Sequence, residues 1–174
     1  MPSTMSAAGR IEGDSSMADK LTILLTDDSL DRACVALNIA VSAAAADKEV
    51  TVFLTCWSLR LLKKPGLQWS GDHLLNRLIN LLTPGGPERL PLSKFNFFGL
   101  GAWMMRRMMA AKRLQSIPEM LETARELGVQ FQVCDKPADV FGLELDDLSV
   151  PLETFVGAPS FVREALQSQA VICL

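Results

Sequence analysis

Two cysteines follow predicted strands of this sequence, and their thiols are the groups best placed for chemistry. Cys134 comes after the apolar run Val129–Val133, and Cys56 comes after the run Val50–Thr55. A thiol at the end of a strand, where a helix begins, meets unpaired backbone N–H groups and the positive end of the helix dipole. Such a position favours the thiolate, which is the nucleophilic form of cysteine. We therefore take Cys134 as the candidate nucleophile.

The two residues after Cys134 act on its thiol in opposite directions. The carboxylate of Asp135 opposes formation of a thiolate if it lies close, whereas the ammonium group of Lys136 favours it. The competing interpretation is that Cys134 is a small buried hydrophobic residue, as most free cysteines are. The directions of the side chains decide between these interpretations.

The other thiols and the single histidine have weaker claims. Cys56 is expected at the same edge of a parallel sheet as Cys134, where it either lines a shared crevice or forms a disulfide, which needs Cα atoms within about 7 Å. Cys34 falls in an amphipathic helix and Cys173 in the last strand, so both are expected in the core. His73 opens a predicted helix far from Cys134 in sequence and is expected to be exposed or to cap that helix.

The elements that must position the thiols alternate between strand and helix. Continuous apolar runs such as Leu21–Thr26 are typical of strands buried on both faces, and Asp27–Ser29 supplies caps for a helix from Leu30 to Ala46. Four strands are clear, and a fifth, weaker candidate lies in the loop Leu90–Phe98. The sequence predicts an α/β protein, a three-layer α/β/α Rossmann-like domain with a mainly parallel sheet of about five strands. The other predicted elements are helices at Leu59–Lys63, His73–Leu82, Trp103–Leu114, Asp135–Phe141 and Pro159–Gln167, a helix capped by Ser116 with Pro118 in its first turn, and a last strand at Ala170–Leu174.

Length and composition indicate one globular domain. Residues 1–19 lack periodicity and are predicted to be a disordered leader, which leaves 20–174 as the domain. The net charge of −3 does not indicate nucleic-acid binding. No signal peptide is evident, and no apolar run approaches the roughly 18–20 residues of a spanning helix, so we expect no membrane association. The four scattered cysteines lack C-x-x-C spacing, which argues against zinc and indicates reduced thiols in a cytoplasmic protein.

A methionine-rich helix and two glycine pairs complete the candidate sites. Met104, Met105, Met108 and Met109 are expected on one side of the helix Trp103–Leu114, with arginines on the other. That side is interpreted as a core or subunit packing face, a soft metal site or a surface for anionic lipid, and packing is favoured. The glycine pairs lack the third glycine of a dinucleotide motif and the lysine of a phosphate-binding loop, so nucleotide binding has little support.

A series of short motifs along the chain is similar to the motifs of a known family. In order they are Phe53–Leu62, Leu90–Asn96, Met104–Met109, Ile117–Leu121, Glu126–Val129, Cys134 with Asp139–Leu143, and Phe155–Ala158 onward. Together they resemble the DsrE/DsrF/DsrH-like sulfur-relay proteins, in particular the branch called DsrE-like or peroxiredoxin-like. The resemblance extends over residues 20–174.

The resemblance implies both an assembly and a chemistry. It implies a Rossmann-like domain that forms homo-oligomers, and a cysteine, matched by Cys134, that carries sulfane sulfur as a persulfide between donor and acceptor proteins. Exchange between thiols and sulfane sulfur needs no metal or other cofactor. The chain departs from the family at Cys56, where relatives often carry an apolar residue, and at Pro137, where the segment is more polar than in relatives.

Five residues are candidates for substrate binding beside Cys134. Cys56 and Trp57 belong to the motif that follows the second strand. Ser93, Lys94 and Asn96 lie in a loop that is expected to bring a cation and polar groups to the pocket, although Lys94 is equally well explained as a solvated surface charge.

Three functions follow from these observations. The leading hypothesis is a cytoplasmic sulfur carrier or sulfurtransferase that uses Cys134. The second is a non-catalytic scaffold or regulatory subunit in which the cysteine is buried and inert. A thiol peroxidase ranks last, because the Thr-x-x-Cys helix start of such enzymes is missing.

Overall fold

Four parallel strands form one sheet at the centre of the molecule. The computed structural model describes residues 19–66, 78 and 85–174. The strands are β1 (Lys20–Leu25), β2 (Glu49–Leu54), β3 (Gln130–Val133) and β4 (Ala170–Cys173), and they lie in the order β3-β2-β1-β4. All three pairings are parallel, so the predicted α/β class and parallel sheet are confirmed.

Helices cover both faces of this sheet. They are α1 (Leu30–Ala44), α2 (Leu100–Ala111), α3 (Ile117–Glu126), α4 (Asp135–Phe141) and α5 (Ala158–Gln167). Short 3₁₀ helices lie at Cys56–Leu61, Pro87–Arg89, Phe97–Gly99 and Leu145–Asp147. The chain adds β2 and then β3 on one side of β1, and it later adds β4 on the other side of β1. Because crossovers between parallel strands are right-handed, α1 and α3 lie on one face of the sheet and α5 lies on the other.

The core sits between the sheet and these helices. Strands β1 and β2 are central and almost continuously apolar, as strands covered on both faces must be. Helix α1 turns Leu30, Ala33, Leu37 and Ala40 inward at three- and four-residue spacing, and its alanines let it approach the sheet closely. On the opposite face, the ring of Phe161 in α5 packs 5.2 Å from that of Phe53.

The count of about five strands is wrong for the described residues, which contain four. The fifth candidate, Leu90–Phe98, is a loop that ends in a 3₁₀ turn. Phe95, Phe97 and Phe98 all have positive φ angles, of 57°, 36° and 55°. An extended strand requires negative φ, so this backbone cannot join the sheet.

The helix predicted to begin at Leu59 instead begins at Cys56, and it has 3₁₀ geometry. Cys173 was expected in the core but is exposed, because β4 pairs only with β1 and forms an edge of the sheet. Cys34 is half-buried and packs against the core. The helix predicted over 73–82, with His73, lies outside the described residues except for Leu78, and so does the leader predicted over 1–19 except for Asp19.

The methionines of α2 do not share one side of the helix. Met105 and Met109 pack against the core, whereas Met104 and Met108 are 51% and 62% exposed. Arg106 lies on the inner side and donates a hydrogen bond of 2.7 Å to a backbone carbonyl of the preceding loop. The predicted separation of methionines from arginines on opposite sides of α2 is therefore wrong. The guanidinium of Arg106 can face the inner side because the carbonyl of Leu90 accepts its hydrogen bond.

An exposed apolar surface extends over α2 and the loop before it. This α2 apolar surface consists of Phe95, Phe97, Phe98, Leu100, Trp103, Met104, Met108 and Leu114. Between Ser93 and Gln115 the chain carries five basic residues and no acidic one. In the ranges that the structure describes, no helix is long and apolar enough to cross a membrane.

Candidate functional site

The ends of β2 and β3 bring Cys56 and Cys134 to the same edge of the sheet. The two strands pair in parallel, with Leu54 opposite Val133. The N–H of Cys134 donates to the carbonyl of Leu54 at 2.9 Å, which continues the ladder and sets Cys134 beside Thr55. Cys56 follows Thr55 and is the second residue after the end of β2. Two neighbouring strands of the sheet are therefore each followed closely by a cysteine.

The backbone of Cys134 is held on both sides. Its N–H bonds to β2, and the carbonyl of Val133 accepts the N–H of Val156 at 2.9 Å, so the segment around Val156 lies against the other side of Cys134. The residue has extended φ and ψ angles of −68° and 131° and caps α4. Only 7% of its surface is exposed. The thiol is therefore fixed in position and largely removed from solvent.

The unpaired N–H groups expected at the start of α4 are all engaged. The N–H of Asp135 donates to the carbonyl of Val156 at 3.0 Å. The N–H of Lys136 donates to the carboxylate of Asp135 at 2.7 Å. Pro137 has no N–H, and the N–H of Ala138 donates to the carbonyl of Cys134 at 3.3 Å. The expectation that these donors stabilise a thiolate or persulfide on Cys134 is wrong for this arrangement.

The carboxylate of Asp135 contacts the thiol of Cys134. The Sγ of Cys134 donates a long hydrogen bond of 3.8 Å to Oδ1 of Asp135. The Nζ of Lys136 lies 4.0 Å from Oδ2 of the same carboxylate, and the lysine side chain is 82% exposed. Asp135 therefore acts on the sulfur directly, whereas Lys136 acts mainly by partly neutralising Asp135. The site supplies an acceptor for the proton of the thiol.

Cys56 has a different backbone and a different exposure. It is exposed, opens the 3₁₀ helix and has a positive φ of 54°, which is unfavourable for a residue with a Cβ. Buried Ser58 holds this turn, because its Oγ accepts the N–H of Thr55 at 2.9 Å and lies 2.7 Å from the carbonyl oxygen of Leu25. The hydroxyl of Thr55 lies 3.9 Å from the Sγ of Cys56. The turn thus presents the thiol of Cys56 at the surface.

Trp57 connects the turn after β2 to the helix after β3. Its ring centroid lies 5.1 Å from that of Phe141, at an interplanar angle of 41°. Phe141 is the last residue of α4, the helix that Cys134 caps. Of the five candidate binding residues, Cys56 and Trp57 therefore lie on the same part of the edge as Cys134.

The loop candidates lie near the start of α1. The N–H and hydroxyl of Ser93 donate to the carboxylate of Asp31 at 3.1 and 2.6 Å. Burial raises the pKa of Asp31, but the hydrogen bonds from Ser93 outweigh it, and the net pKa of this carboxyl is below its usual value. Asn96 accepts the N–H of Leu92 at 3.4 Å, and Lys94 is exposed. These contacts hold the loop at the β1 side of the edge.

Comparison with known proteins identifies the family. The model of the DsrE/DsrF/DrsH-like family matches residues 17–172. The chain belongs to this family. It is 32% identical over 146 residues to the uncharacterized protein YrkE of Bacillus subtilis strain 168, covering 84% of this chain and 91% of YrkE. It is also 32% identical over 165 residues to the Sulfur carrier protein DsrE2 of Allochromatium vinosum, covering 89% of this chain and 96% of that protein. The family predicted from the motifs is confirmed.

Two features of this DsrE-like edge were missed from the sequence. An ion pair joins Asp28, just after β1, to Arg60 of the 3₁₀ helix, and both side chains are mostly buried. The signal was an acidic residue after one strand and a basic residue after the next, but Asp28 was interpreted only as part of a helix cap. Val156 also contacts the backbone around Cys134; it lies in the motif Phe155–Ala158, but nothing in that motif predicted this contact.

All four cysteines of this DsrE-like chain are free thiols, so the edge carries Cys56 and Cys134 in reduced form. Over the described ranges, no group of three or more histidine, cysteine or acidic side chains could hold a metal ion. The described edge therefore offers two thiols, together with the carboxylates and hydrogen-bond partners around them.

Proposed function

We propose that this chain is a sulfur carrier or sulfurtransferase that holds sulfane sulfur as a persulfide on Cys134. The observation that carries this proposal is the thiol of Cys134, held at the end of β3 by backbone hydrogen bonds on both sides and largely shielded from solvent. Membership of the family and 32% identity to a protein named a sulfur carrier support the same function.

Loading of Cys134 requires one exchange of sulfur. The thiolate of Cys134 attacks the outer sulfur of a persulfide on the donor, the sulfur–sulfur bond of the donor breaks, and the donor thiolate leaves. The proton lost by Cys134 ends on the donor thiolate. The sulfane sulfur keeps its oxidation state, so no oxidant or metal takes part.

The partners of this reaction are a sulfur-donor protein and a sulfur-acceptor protein. A cytoplasmic location belongs to the same proposal, because four free thiols suit a reducing compartment. Only 7% of the surface of Cys134 is exposed, so the persulfide of the donor has to enter the edge beside Trp57 and Cys56. We expect recognition of the donor to depend on that rim.

Homo-oligomer formation through the α2 apolar surface is also part of the proposal. Eight large apolar residues are exposed there, among them Phe98, which is fully exposed. Contiguous apolar surface of this kind marks an interface. Light scattering should give the wild type a mass above that of one chain, and Met104→Glu with Met108→Glu should reduce it. A wild type with the mass of one chain would contradict this assignment.

The test of the carrier function removes the exposed thiols first. In a Cys56→Ser/Cys173→Ser background, only Cys134 and half-buried Cys34 remain. This protein is treated with inorganic polysulfide, desalted, and its intact mass is measured. We expect the mass of one added sulfur atom, its loss in Cys134→Ser, and its retention in Cys34→Ser. No added sulfur, or equal loading after Cys134→Ser, would refute the function.

The scaffold remains a second candidate because of specific observations at Cys134. Cys134 is buried, the backbone N–H groups at the start of α4 are bonded elsewhere, and the thiol contacts the carboxylate of Asp135. The rate of alkylation against pH separates the two functions. A Cys134 that reacts slowly over the whole pH range and takes up no sulfur supports an inert residue in a scaffold.

A further inference from the structure

Cys134 and Cys56 meet two different requirements of a sulfur relay, protection of the persulfide and contact with the acceptor. Cys134 is 7% exposed, which protects a persulfide from solvent but hinders the approach of a second protein. Cys56 is exposed, which suits contact with a second protein. A carrier with only the buried thiol would have to deliver its sulfur through the same narrow access by which it was loaded.

The geometry places the two thiols on one side of the sheet edge. The bond from the N–H of Cys134 to the carbonyl of Leu54 sets Cys134 and Thr55 in register, and residues in register on parallel strands project from the same face. The hydroxyl of Thr55 lies 3.9 Å from the Sγ of Cys56. The side chain of Thr55 therefore lies beside the thiol of Cys56 and projects from the same face of the sheet as the side chain of Cys134. The contact between Trp57 and Phe141 holds the two connecting segments together.

We propose that Cys56 is an exit thiol, which takes sulfane sulfur from Cys134 and presents it to the acceptor protein. This inference rests on the proposed function, because it requires a persulfide on Cys134. It assigns to Cys56 a covalent role in the transfer. The left-handed backbone of Cys56, held by Ser58, keeps this thiol at the surface rather than in the strand.

The transfer is balanced within the chain. The thiolate of Cys56 attacks the outer sulfur of the Cys134 persulfide and forms a new sulfur–sulfur bond. The bond between the outer sulfur and the Sγ of Cys134 breaks, and Cys134 leaves as a thiolate. The proton lost by Cys56 ends on Cys134. No external oxidant or reductant is consumed.

The experiment follows sulfur between two peptides after the donor is removed. The wild type is loaded briefly with inorganic polysulfide, desalted, and alkylated at successive times. Tryptic peptides 49–60 and 126–163 then report Cys56 and Cys134 separately. We expect sulfur on Cys134 to fall as sulfur on Cys56 rises, at constant total sulfur and at a rate that does not depend on protein concentration.

Matched variants isolate the role of Cys56. In Cys56→Ser, sulfur already present on Cys134 should be lost to the thiol of an unrelated folded protein about tenfold more slowly than in the wild type. Cys173→Ser removes an exposed thiol from the far edge strand and should leave the transfer unchanged.

The outcomes separate the two proposals. If Cys134 never loads, the proposed function fails. If Cys134 loads but its sulfur does not reach Cys56, or reaches it at a rate proportional to protein concentration, only the exit thiol is refuted. A disulfide between Cys56 and Cys134 with release of sulfide also refutes it, because the attack then falls on the inner sulfur.

Discussion

The two strand ends that carry Cys134 and Cys56 start from similar sequences and reach different environments. Each thiol follows an apolar strand of the same parallel sheet. After β3 the chain continues into a short α-helix with extended geometry at the cysteine, and the thiol is buried beside Asp135. After β2 it enters a left-handed turn held by Ser58, and the thiol is exposed. The segment that follows each strand, rather than the strand itself, therefore determines the exposure and the surroundings of each thiol.

The largest expected effect is on the turn that presents Cys56. Ser58→Ala removes a fully buried hydroxyl that accepts the N–H of Thr55, so we expect a loss of about 1–3 kcal/mol in the free energy of unfolding. Ser42→Ala on the exposed face of α1 is the control and should change it by less than about 0.5 kcal/mol. Urea denaturation measures both. Equal effects would mean that Ser58 does not hold the turn.

The difference in exposure predicts a difference in reaction rate. We expect iodoacetamide to modify Cys56 at least about tenfold faster than Cys134 at neutral pH. Burial, with a smaller contribution from Asp31, raises the pKa of Cys34, so that thiol should react slowly as well. Peptide mapping over time gives the rates. A Cys134 that reacts as fast as Cys56 would show that its burial gives no protection.

The charge of Asp135 predicts a smaller effect on Cys134 alone. Asp135→Asn keeps an acceptor for the N–H of Lys136 but removes the negative charge 3.8 Å from the sulfur. We expect alkylation of Cys134 at neutral pH to become about three- to tenfold faster, because a nearby carboxylate disfavours the thiolate. Asp139→Asn, further along α4, is the control. An unchanged rate in Asp135→Asn would show that the carboxylate of Asp135 does not affect the reactivity of Cys134.

The smallest expected effect tests the backbone of Cys56. At a φ of 54°, glycine is favoured over residues with a Cβ, so Cys56→Gly should be more stable than Cys56→Ala by about 0.5–1 kcal/mol. Thermal unfolding of both variants measures the difference. If the alanine variant is the more stable one, the turn is not left-handed in solution.

The sheet and its helices could be predicted well from the sequence. The ends of β1, β2, β3 and β4 lie within one residue of their predicted ends, because short apolar runs bounded by polar or turn residues are typical of strands. Helix α3 begins where Ser116 was predicted to cap it. The Oγ of Ser116 accepts the N–H of Glu119, and the N–H of Ser116 donates to the carboxylate of Glu119. These hydrogen bonds join residues three apart in sequence, so this helix start could be predicted without knowledge of the tertiary structure.

The site was less predictable because it depends on groups that are distant in sequence. The position of Cys134 at the edge could be predicted from the strand pattern. The N–H of Asp135, however, is engaged by the carbonyl of Val156, which lies twenty-two residues after Cys134 in the sequence. The inward position of Arg106 depends on a backbone carbonyl of another segment. Periodicity gives the angle between side chains on a helix but does not give the side that faces the core.

The proposed function depends most directly on Cys134 carrying sulfane sulfur. The most direct measurement is tandem mass spectrometry of Cys56→Ser, alkylated at successive times after a single addition of inorganic polysulfide, because the exposed thiol of Cys56 also reacts directly with a small donor. We expect added sulfur on peptide 126–163, whose one cysteine is Cys134. A peptide 126–163 that stays free of sulfur at every time would contradict the proposed function.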